Sequence, residues 1–255
     1  MTKSSGMILD GGSRPGERGA GAEPRNALEV EGLAVRLGGA DVLRDVSFSL
    51  TRGSCLAIIG PNGSGKTVLL RALIGALPHT GRVAWAEETV FGYVPQKLDI
   101  ERDLPLNGRD FLRARAALAR SSAPMQAEAL RSVGLAEEAL STPIGSMSGG
   151  QFQRLLIAFA LLGHPNVLLL DEPAAGIDAP GQAQLNEIIH RLQQAGSMTV
   201  LLVSHDLSVV YQYADYVLCL GRHGICFGPP RTALTPEMLY QVYGQPLRFH
   251  VHDGH

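Results

Sequence analysis

The sequence lacks a strong excess of charge of either sign. Among its 255 residues, 22 are lysine or arginine and 24 are aspartate or glutamate, which gives a formal net charge of −2. Proteins that bind nucleic acid usually carry a clear excess of basic residues. The composition therefore argues against nucleic acid as a partner, while 45% apolar and 18% charged residues are typical of a folded globular protein.

Long apolar runs are also missing. The longest, such as Leu155–Leu162, fall far short of the roughly 20 residues that a membrane-spanning helix needs. Residues 1–26 are rich in glycine, serine, proline and charge, and they contain no apolar stretch of the kind that a secretory signal requires. We therefore expect a chain that does not cross a membrane, with a disordered leader over residues 1–26 in the cytoplasm.

Cysteine is scarce, and its spacing does not indicate a disulfide framework. Cys55, Cys219 and Cys226 all lie in apolar segments. Residues 216–228 predict a β-hairpin in which Cys219 and Cys226 would face each other, but two thiols in apolar strands are more often core residues than ligands. We expect reduced thiols without a bound metal.

The sequence does contain a regular alternation of apolar, β-rich runs with segments of helical period. Each of three predicted strands is followed by a predicted helix: 55–59 by 68–77, 167–170 by 185–192, and 199–203 by 207–213. This alternation indicates a parallel α/β fold.

Two regions depart from that alternation. Residues 28–35 and 46–50 have the two-residue period of strands on either side of Gly38-Gly39, which predicts an antiparallel β subdomain. From about residue 97 to 162 the β signal gives way to helical segments that include 110–118 and 125–133. We therefore predict a helical subdomain inserted into one domain, which spans 27–249.

A phosphate-binding loop is predicted between the first parallel strand and its helix. Glycines let successive backbone N–H groups face phosphates, and the helix start adds positive potential. Lys66 would neutralise the terminal phosphates and Thr67 would bind Mg²⁺. A turn that merely caps a helix would not need both of these residues. The loop consists of Gly60, Pro61, Asn62, Gly63, Ser64, Gly65, Lys66 and Thr67.

Two adjacent carboxylates end the apolar strand 167–170. Asp171 and Glu172 would lie at the edge of a parallel sheet where nucleotide phosphates bind. Asp171 would hold Mg²⁺, whereas Glu172 could polarise the attacking water as a general base. The alternative is a solvated acidic strand end.

The residues Met147-Ser148-Gly149-Gly150-Gln151 resemble the signature motif of ABC ATPases, with methionine where leucine is usual. Gln96 resembles the glutamine of the family's glutamine loop, Ala175–Asp178 its D-loop and His205 its switch histidine, and all occur in the family order. Each of these motifs is weak alone. Together they extend the resemblance to nearly the whole chain, which implies a P-loop NTPase fold of the ABC type.

The resemblance implies a homodimer that encloses two ATP molecules, each held by one copy's phosphate loop and the other copy's signature. The Ser148 hydroxyl and the amides of Gly149 and Gly150, which precede a predicted helix from Gln151 to Leu162, would bind the γ-phosphate. Loss of that phosphate by hydrolysis would reopen the dimer.

The remaining motif residues receive their roles from the same resemblance. His205 would act in catalysis at the γ-phosphate, and Gln96 would link Mg²⁺ to a transmembrane partner. Asp178 would belong to the nucleotide site. The aromatic residue that usually stacks on adenine is replaced by Leu37, so we expect looser recognition of the base.

Within the family, Gly92–Lys97 and Val203–Leu207 resemble the ATPase subunits of bacterial zinc and manganese importers. That resemblance implies a peripheral protein on the cytoplasmic face of the membrane. Its partners would be a polytopic permease and, indirectly, an extracytoplasmic metal-binding protein. Zinc is the favoured cargo. The alternatives are a manganese or iron importer, or a soluble ABC ATPase without a transport role.

Residues 250–255 carry a cluster of side chains that can bind zinc. His250, His252 and His255 supply imidazoles, and Asp253 supplies a carboxylate. A tail that is simply solvated is the alternative. Our hypothesis is that this tail senses cytosolic zinc and restrains the ATPase.

Overall fold

A computed structural model describes residues 26–98, 105–196, 198–221 and 225–244. The predicted leader, except for Asn26, lies outside the described residues. So do the histidine tail and residues 222–224 of the predicted hairpin turn.

The elements alternate between strands and helices along most of the chain. The strands are β1 (Asn26–Leu37), β2 (Ala40–Thr51), β3 (Cys55–Ile59), β4 (Thr80–Trp85), β5 (Phe91–Val94), β6 (Val167–Asp171), β7 (Thr199–Val203), β8 (Tyr216–Leu220) and β9 (Ile225–Gly228). The helices are α1 (Lys66–Leu73), α2 (Gly108–Ala119), α3 (Ala123–Ser132), α4 (Gly149–Leu161), α5 (Ala179–Gly196), α6 (Leu207–Tyr213), α7 (Pro230–Ala233) and α8 (Pro236–Tyr243).

The strands form two sheets. The smaller is antiparallel in the order β2-β1-β4, and the larger runs β5-β6-β7-β3-β8-β9 with only β9 antiparallel to its neighbour. Every residue of β3, β6 and β7 is buried, as expected for central strands covered on both faces. The predicted α/β fold with an additional antiparallel sheet is confirmed.

The larger sheet separates two apolar cores. One face packs with α1 and the antiparallel sheet, through residues such as Leu69, Leu169 and Leu28. The other face packs with α4 and α5, through residues such as Leu155 and Leu168. Successive residues of each central strand therefore serve different cores, because side chains alternate along a strand.

The predicted helical segments are confirmed, but several helices begin or end at other residues than predicted. Helix α1 ends at Leu73 rather than near residue 77, because the chain turns at Gly75 with a positive φ of 74°. Helix α4 begins at Gly149, two residues before the prediction, because the Ser148 side chain accepts a hydrogen bond from the Gln151 N–H and caps it.

The expectation of three reduced thiols is wrong for Cys219 and Cys226. These residues lie opposite each other on β8 and β9, with Cα atoms 4.8 Å apart, and they form a disulfide. The prediction that they face each other is confirmed, but at this separation they can join as a disulfide instead of remaining separate core thiols. Cys55 is free and buried.

No helix in the described ranges is both long enough and apolar enough to cross a membrane.

Candidate functional site

Four of the predicted site segments follow the carboxyl ends of neighbouring parallel strands. The phosphate loop follows β3, Gln96 follows β5, Asp171 ends β6 and His205 follows β7. Because parallel strands bring their carboxyl ends to one edge of a sheet, the fold gathers these segments along that edge.

The phosphate loop uses glycine where another residue would not fit. Gly60 has φ 151°, and a Cβ at this position would collide with the Leu220 carbonyl oxygen of β8. Gly63 and Gly65 have φ values of 79° and 97°, which favour glycine. Gly65 occupies the N-cap position of α1 without a side-chain cap, so the first amides of the helix have no side-chain acceptor there and suit an anion.

Lys66 is held inside the loop. Its side chain is 6% exposed, and its Nζ donates hydrogen bonds to the carbonyl oxygens of Gly60 at 3.0 Å and Pro61 at 3.2 Å. Burial lowers the pKa of Lys66, whereas the charges of Glu172 and Asp171 raise it. The ammonium group is thus fixed by the backbone and lies 3.8 Å from a Glu172 carboxylate oxygen.

Glu172 forms hydrogen bonds with both other predicted catalytic residues. Gln96 Nε2 donates a hydrogen bond to Glu172 Oε2 at 2.7 Å, and His205 Nε2 donates to Glu172 Oε1. The Glu172 backbone has φ 48°, a conformation uncommon outside glycine. Such positions cluster at functional sites.

Asp171 lies next to Glu172 but in a different environment. Its side chain is 1% exposed, and both carboxylate oxygens are buried without a hydrogen-bond partner in the described part of the chain. Burial raises the pKa of Asp171, the neighbouring Thr67 hydroxyl lowers it, and the Glu172 charge raises it. A buried carboxylate with unpaired oxygens beside a threonine hydroxyl fits the hard oxygen ligands that Mg²⁺ prefers.

The signature segment lies at the D-loop. A Cβ on Gly149 would lie 3.4 Å from the Gly176 carbonyl oxygen and 3.8 Å from Ile177. Ser148 and Gln151 form a reciprocal capping box, in which the Ser148 N–H donates to Gln151 Oε1 at 3.0 Å and the Gln151 N–H donates to Ser148 Oγ at 3.2 Å. The side chains of Ser148 and Gln151 thus bond to each other's backbone, and among the described residues they form no hydrogen bond with Lys66 or Glu172.

Asp178 is exposed and immediately precedes α5. Its carbonyl oxygen accepts a hydrogen bond from the Gln182 N–H at 2.9 Å. Asp178 thus lies with the signature on one surface of the monomer.

Sequence reasoning missed the walls of the cleft beside the phosphate loop. A cleft of about 690 Å³ adjoins Gly63 and Ser64, and its other lining residues include Val42 of β2, Leu220 and Ile225. Leu37 is half-buried at the end of β1 and packs against the apolar core. Contacts between residues so distant along the chain leave no local pattern, so the sequence gives no indication that Val42 lines this cleft.

Comparisons with known proteins agree with this arrangement. A family model described as ABC transporter matches residues 43–175. The zinc import ATP-binding protein ZnuC of Cereibacter sphaeroides is 44% identical over 214 residues, which cover 83% of this chain and 86% of that protein. The protein of the same name from Pseudomonas aeruginosa is 41% identical over 236 residues, covering 90% and 86%.

A solved structure extends the comparison to the fold. It is an inward-facing conformation of a metal-chelate type ABC transporter, with a TM-score of 0.79 and 27% identity over 87% of this chain and 90% of that one. The motifs, the fold and the relatives agree, and this chain belongs to the ABC transporter family.

Proposed function

We propose that this chain is the ATP-hydrolysing subunit of a zinc importer and works as a homodimer beneath a membrane permease. The main support for ATP hydrolysis is that Gln96 and His205 both form hydrogen bonds with Glu172. The buried Lys66 and Asp171 lie beside this carboxylate. This set combines a carboxylate for activating water, a fixed cation for phosphate and a second carboxylate for a metal ion.

In the proposed reaction, Glu172 accepts a proton from the water that attacks the γ-phosphate. The phosphate loop binds the α- and β-phosphates through its amides, and Lys66 neutralises the terminal phosphates. We propose that His205, whose Nε2 donates a hydrogen bond to Glu172 Oε1, would donate this hydrogen bond to the γ-phosphate when ATP is bound. Its contact with Glu172 also restricts the orientation of the carboxylate that must face water.

The residues that would hold Mg²⁺ are Thr67, Asp171 and Gln96. When bound, the ion neutralises charge on the β- and γ-phosphates. Asp171 suits this role because its two oxygens are buried and unpaired among the described residues. Gln96 also forms a hydrogen bond with Glu172. We propose that this side chain therefore couples nucleotide binding at the site to the membrane partner.

The signature residues would serve the nucleotide of the other copy. Ser148, Gly149, Gly150 and Gln151 form the start of α4, a helix of 13 residues, whose N-terminus favours an anion. They contact the D-loop of their own chain, which carries the exposed Asp178. This surface therefore suits the proposed ATP-dependent contact between two copies.

The adenine site would lie in the cleft that continues from the phosphate loop. Leu37, at the end of β1, is not among the residues that line this cleft, and a leucine could offer the base apolar contact but no aromatic stacking. The structure adds Val42, whose Cγ1 lies 3.2 Å from the position that a Cβ on Gly65 would take. Apolar contact without stacking fits the expected loose preference for the base.

The proposed partners follow from the relatives. Because proteins 44% and 41% identical over most of the chain are named for zinc import, we propose a polytopic permease and an extracytoplasmic zinc-binding protein as the other components. The chain would then be peripheral on the cytoplasmic face. We propose that the region 97–162 is the inserted subdomain within a domain spanning 27–249.

A deletion strain tests the cargo. We expect loss of this chain to lower cellular zinc, and a wild-type copy but not Lys66→Ala to restore it. Zinc, manganese and iron are measured together by mass spectrometry of washed cells grown in chelated medium. A selective fall in manganese or iron would replace zinc as the cargo.

Copurification separates a transporter from a soluble ATPase. A tagged chain extracted in mild detergent is expected to carry a polytopic membrane protein at equal stoichiometry. Normal metal contents in the deletion strain, together with no membrane protein in the purified complex, would contradict a transport role.

A further inference from the structure

Tyr93, on β5, has no role in the site described so far, yet its polar end is buried next to it. The Tyr93 hydroxyl and both Asp171 carboxylate oxygens are among the buried side-chain atoms that have no hydrogen-bond partner in the described ranges. Unpaired buried polar atoms cost free energy, so their occurrence on the neighbouring strands β5 and β6 calls for an explanation.

The strand register places Tyr93 and Asp171 on the same face of the sheet. Tyr93 is paired with Leu169 on β6, and Asp171 lies two residues further along β6, where side chains return to the same face. The packing agrees with this assignment. Phe91, Tyr93, Val167 and Leu169 pack in the core that contains α1, whereas Val94, Leu168 and Leu170 pack in the core on the other face.

Helix α1 covers that face with two more polar side chains. Thr67 and Arg71 are four residues apart and so lie on one side of the helix. Burial raises the pKa of Tyr93, the neighbouring Arg71 side chain lowers it, and the Asp171 charge raises it. The Tyr93 hydroxyl itself has no hydrogen-bond partner among the described residues.

We propose that Tyr93 is a positioning residue for Asp171. When one Asp171 oxygen binds Mg²⁺, the Tyr93 hydroxyl donates a hydrogen bond to the other and fixes the orientation of the carboxylate. This inference rests on the proposed ATPase function. Partners that orient a metal ligand typically change metal affinity 10–100-fold.

Strand β5 would then control both carboxylates of the site. Tyr93 reaches Asp171 from the strand itself, and Gln96, three residues later, donates to Glu172. A displacement of this one strand end would therefore alter the orientation of both groups.

The test compares the full-length protein with Tyr93→Phe, which removes only the hydroxyl. The binding of a fluorescent ADP analogue is titrated at rising Mg²⁺ concentration and again in EDTA. We expect Tyr93→Phe to need about 10-fold more Mg²⁺ for half-maximal tightening, with the affinity in EDTA unchanged. Tyr211→Phe is the matched control, because it also removes a tyrosine hydroxyl, which donates to the Leu234 carbonyl at 3.3 Å. Tyr211 packs in a different apolar core from Tyr93.

The outcomes separate the inference from the function. An equal Mg²⁺ requirement in wild type and Tyr93→Phe, with nucleotide binding intact in both, overturns the positioning role alone. A lower melting temperature of Tyr93→Phe without a change in Mg²⁺ requirement also overturns it, since a purely structural role predicts that result. Absence of nucleotide binding by wild type overturns the proposed function and the inference together.

Discussion

Glu172 shows how much the neighbours of a single residue define its chemistry. Its carboxylate accepts hydrogen bonds from Gln96 and His205 and lies 3.8 Å from Lys66. Asp171, one residue earlier, has both oxygens buried and unpaired in the described ranges. The two adjacent carboxylates thus have different surroundings, which support the proposed roles of Glu172 towards water and of Asp171 towards a metal ion.

The substitution Glu172→Gln tests the general base. The amide keeps the size of the side chain but cannot accept a proton from water, so we expect turnover to fall about 10²–10⁴-fold while ATP binding persists. Steady-state phosphate release and a nucleotide-binding titration measure the two effects. Glu187→Gln, an exposed position on α5, serves as the control, and turnover of Glu172→Gln within twofold of wild type would remove Glu172 from this role.

Because of Cys55, we expect the stability of the folded protein to depend on pH in the alkaline range. Burial raises the pKa of this thiol from 9.0 to about 12, and the charge of Asp215 adds to the effect. The unfolded chain releases the thiol proton above pH 9.0 while the folded chain keeps it. The stability that depends on the neutral thiol is therefore present below pH 9.0 and lost as the pH rises towards 12.

We expect Cys55→Ala to flatten this dependence. Each pH unit above 9.0 should lower the free energy of unfolding of wild type by up to about 1.4 kcal/mol more than that of the variant. Denaturant unfolding at pH 8, 9 and 10 measures the difference. Parallel curves for the two proteins would contradict a strongly raised thiol pKa.

For the β8–β9 hairpin, the sequence predicted the strand pairing but not the disulfide. Strand β8 pairs with β3 next to the phosphate loop, and the Leu220 carbonyl packs against Gly60. The disulfide between Cys219 and Cys226 joins this strand to β9 at the sheet edge. The hairpin therefore supports both the phosphate loop and one wall of the neighbouring cleft, which Leu220 and Ile225 line.

Thiol counting tests the disulfide. Protein purified without reductant and then unfolded should expose one reactive thiol per chain, that of Cys55, and three after reduction. Loss of the cross-link through a Cys226→Ser substitution should destabilise the fold by at most about 2–3 kcal/mol, since the closed loop is short. Three reactive thiols before reduction would show that the pair is reduced under those conditions.

At the scale of the whole molecule, the proposed nucleotide site needs a second copy to complete it. The phosphate loop and Glu172 lie at the sheet edge, whereas the start of α4 packs with the D-loop. In the proposed dimer, each ATP joins the first surface of one copy to the second surface of the other. Dimer formation should therefore require both ATP and an intact signature.

The substitution Ser148→Arg, introduced into Glu172→Gln, tests this assembly. Glu172→Gln is expected to form a dimer with ATP, and Ser148→Arg should abolish it because a bulky side chain blocks the helix N-terminus that would meet the phosphate. Size-exclusion chromatography with light scattering measures the mass. Ser122→Arg is the matched control, because it also replaces the N-cap serine of a helix, and a Ser148→Arg dimer of undiminished stability would exclude the signature from the contact.

Local sequence determined the motifs of this protein and most of its secondary structure. The phosphate loop, the paired carboxylates and the signature each occupy eight residues or fewer, and their chemistry depends on residue types at fixed spacing. Strand and helix periods likewise predicted the α/β core, because amphipathic patterns repeat within a single element. These short-range features were sufficient to recognise the family.

Tertiary structure decided what depends on register and on distant contacts. The parallel order β5-β6-β7 brought Gln96 and His205 to Glu172 from 76 and 33 residues away. The face shared by Tyr93 and Asp171 follows from strand register in the same way. Such contacts leave no periodic trace in the chain, because packing across a sheet selects them only after the elements have formed.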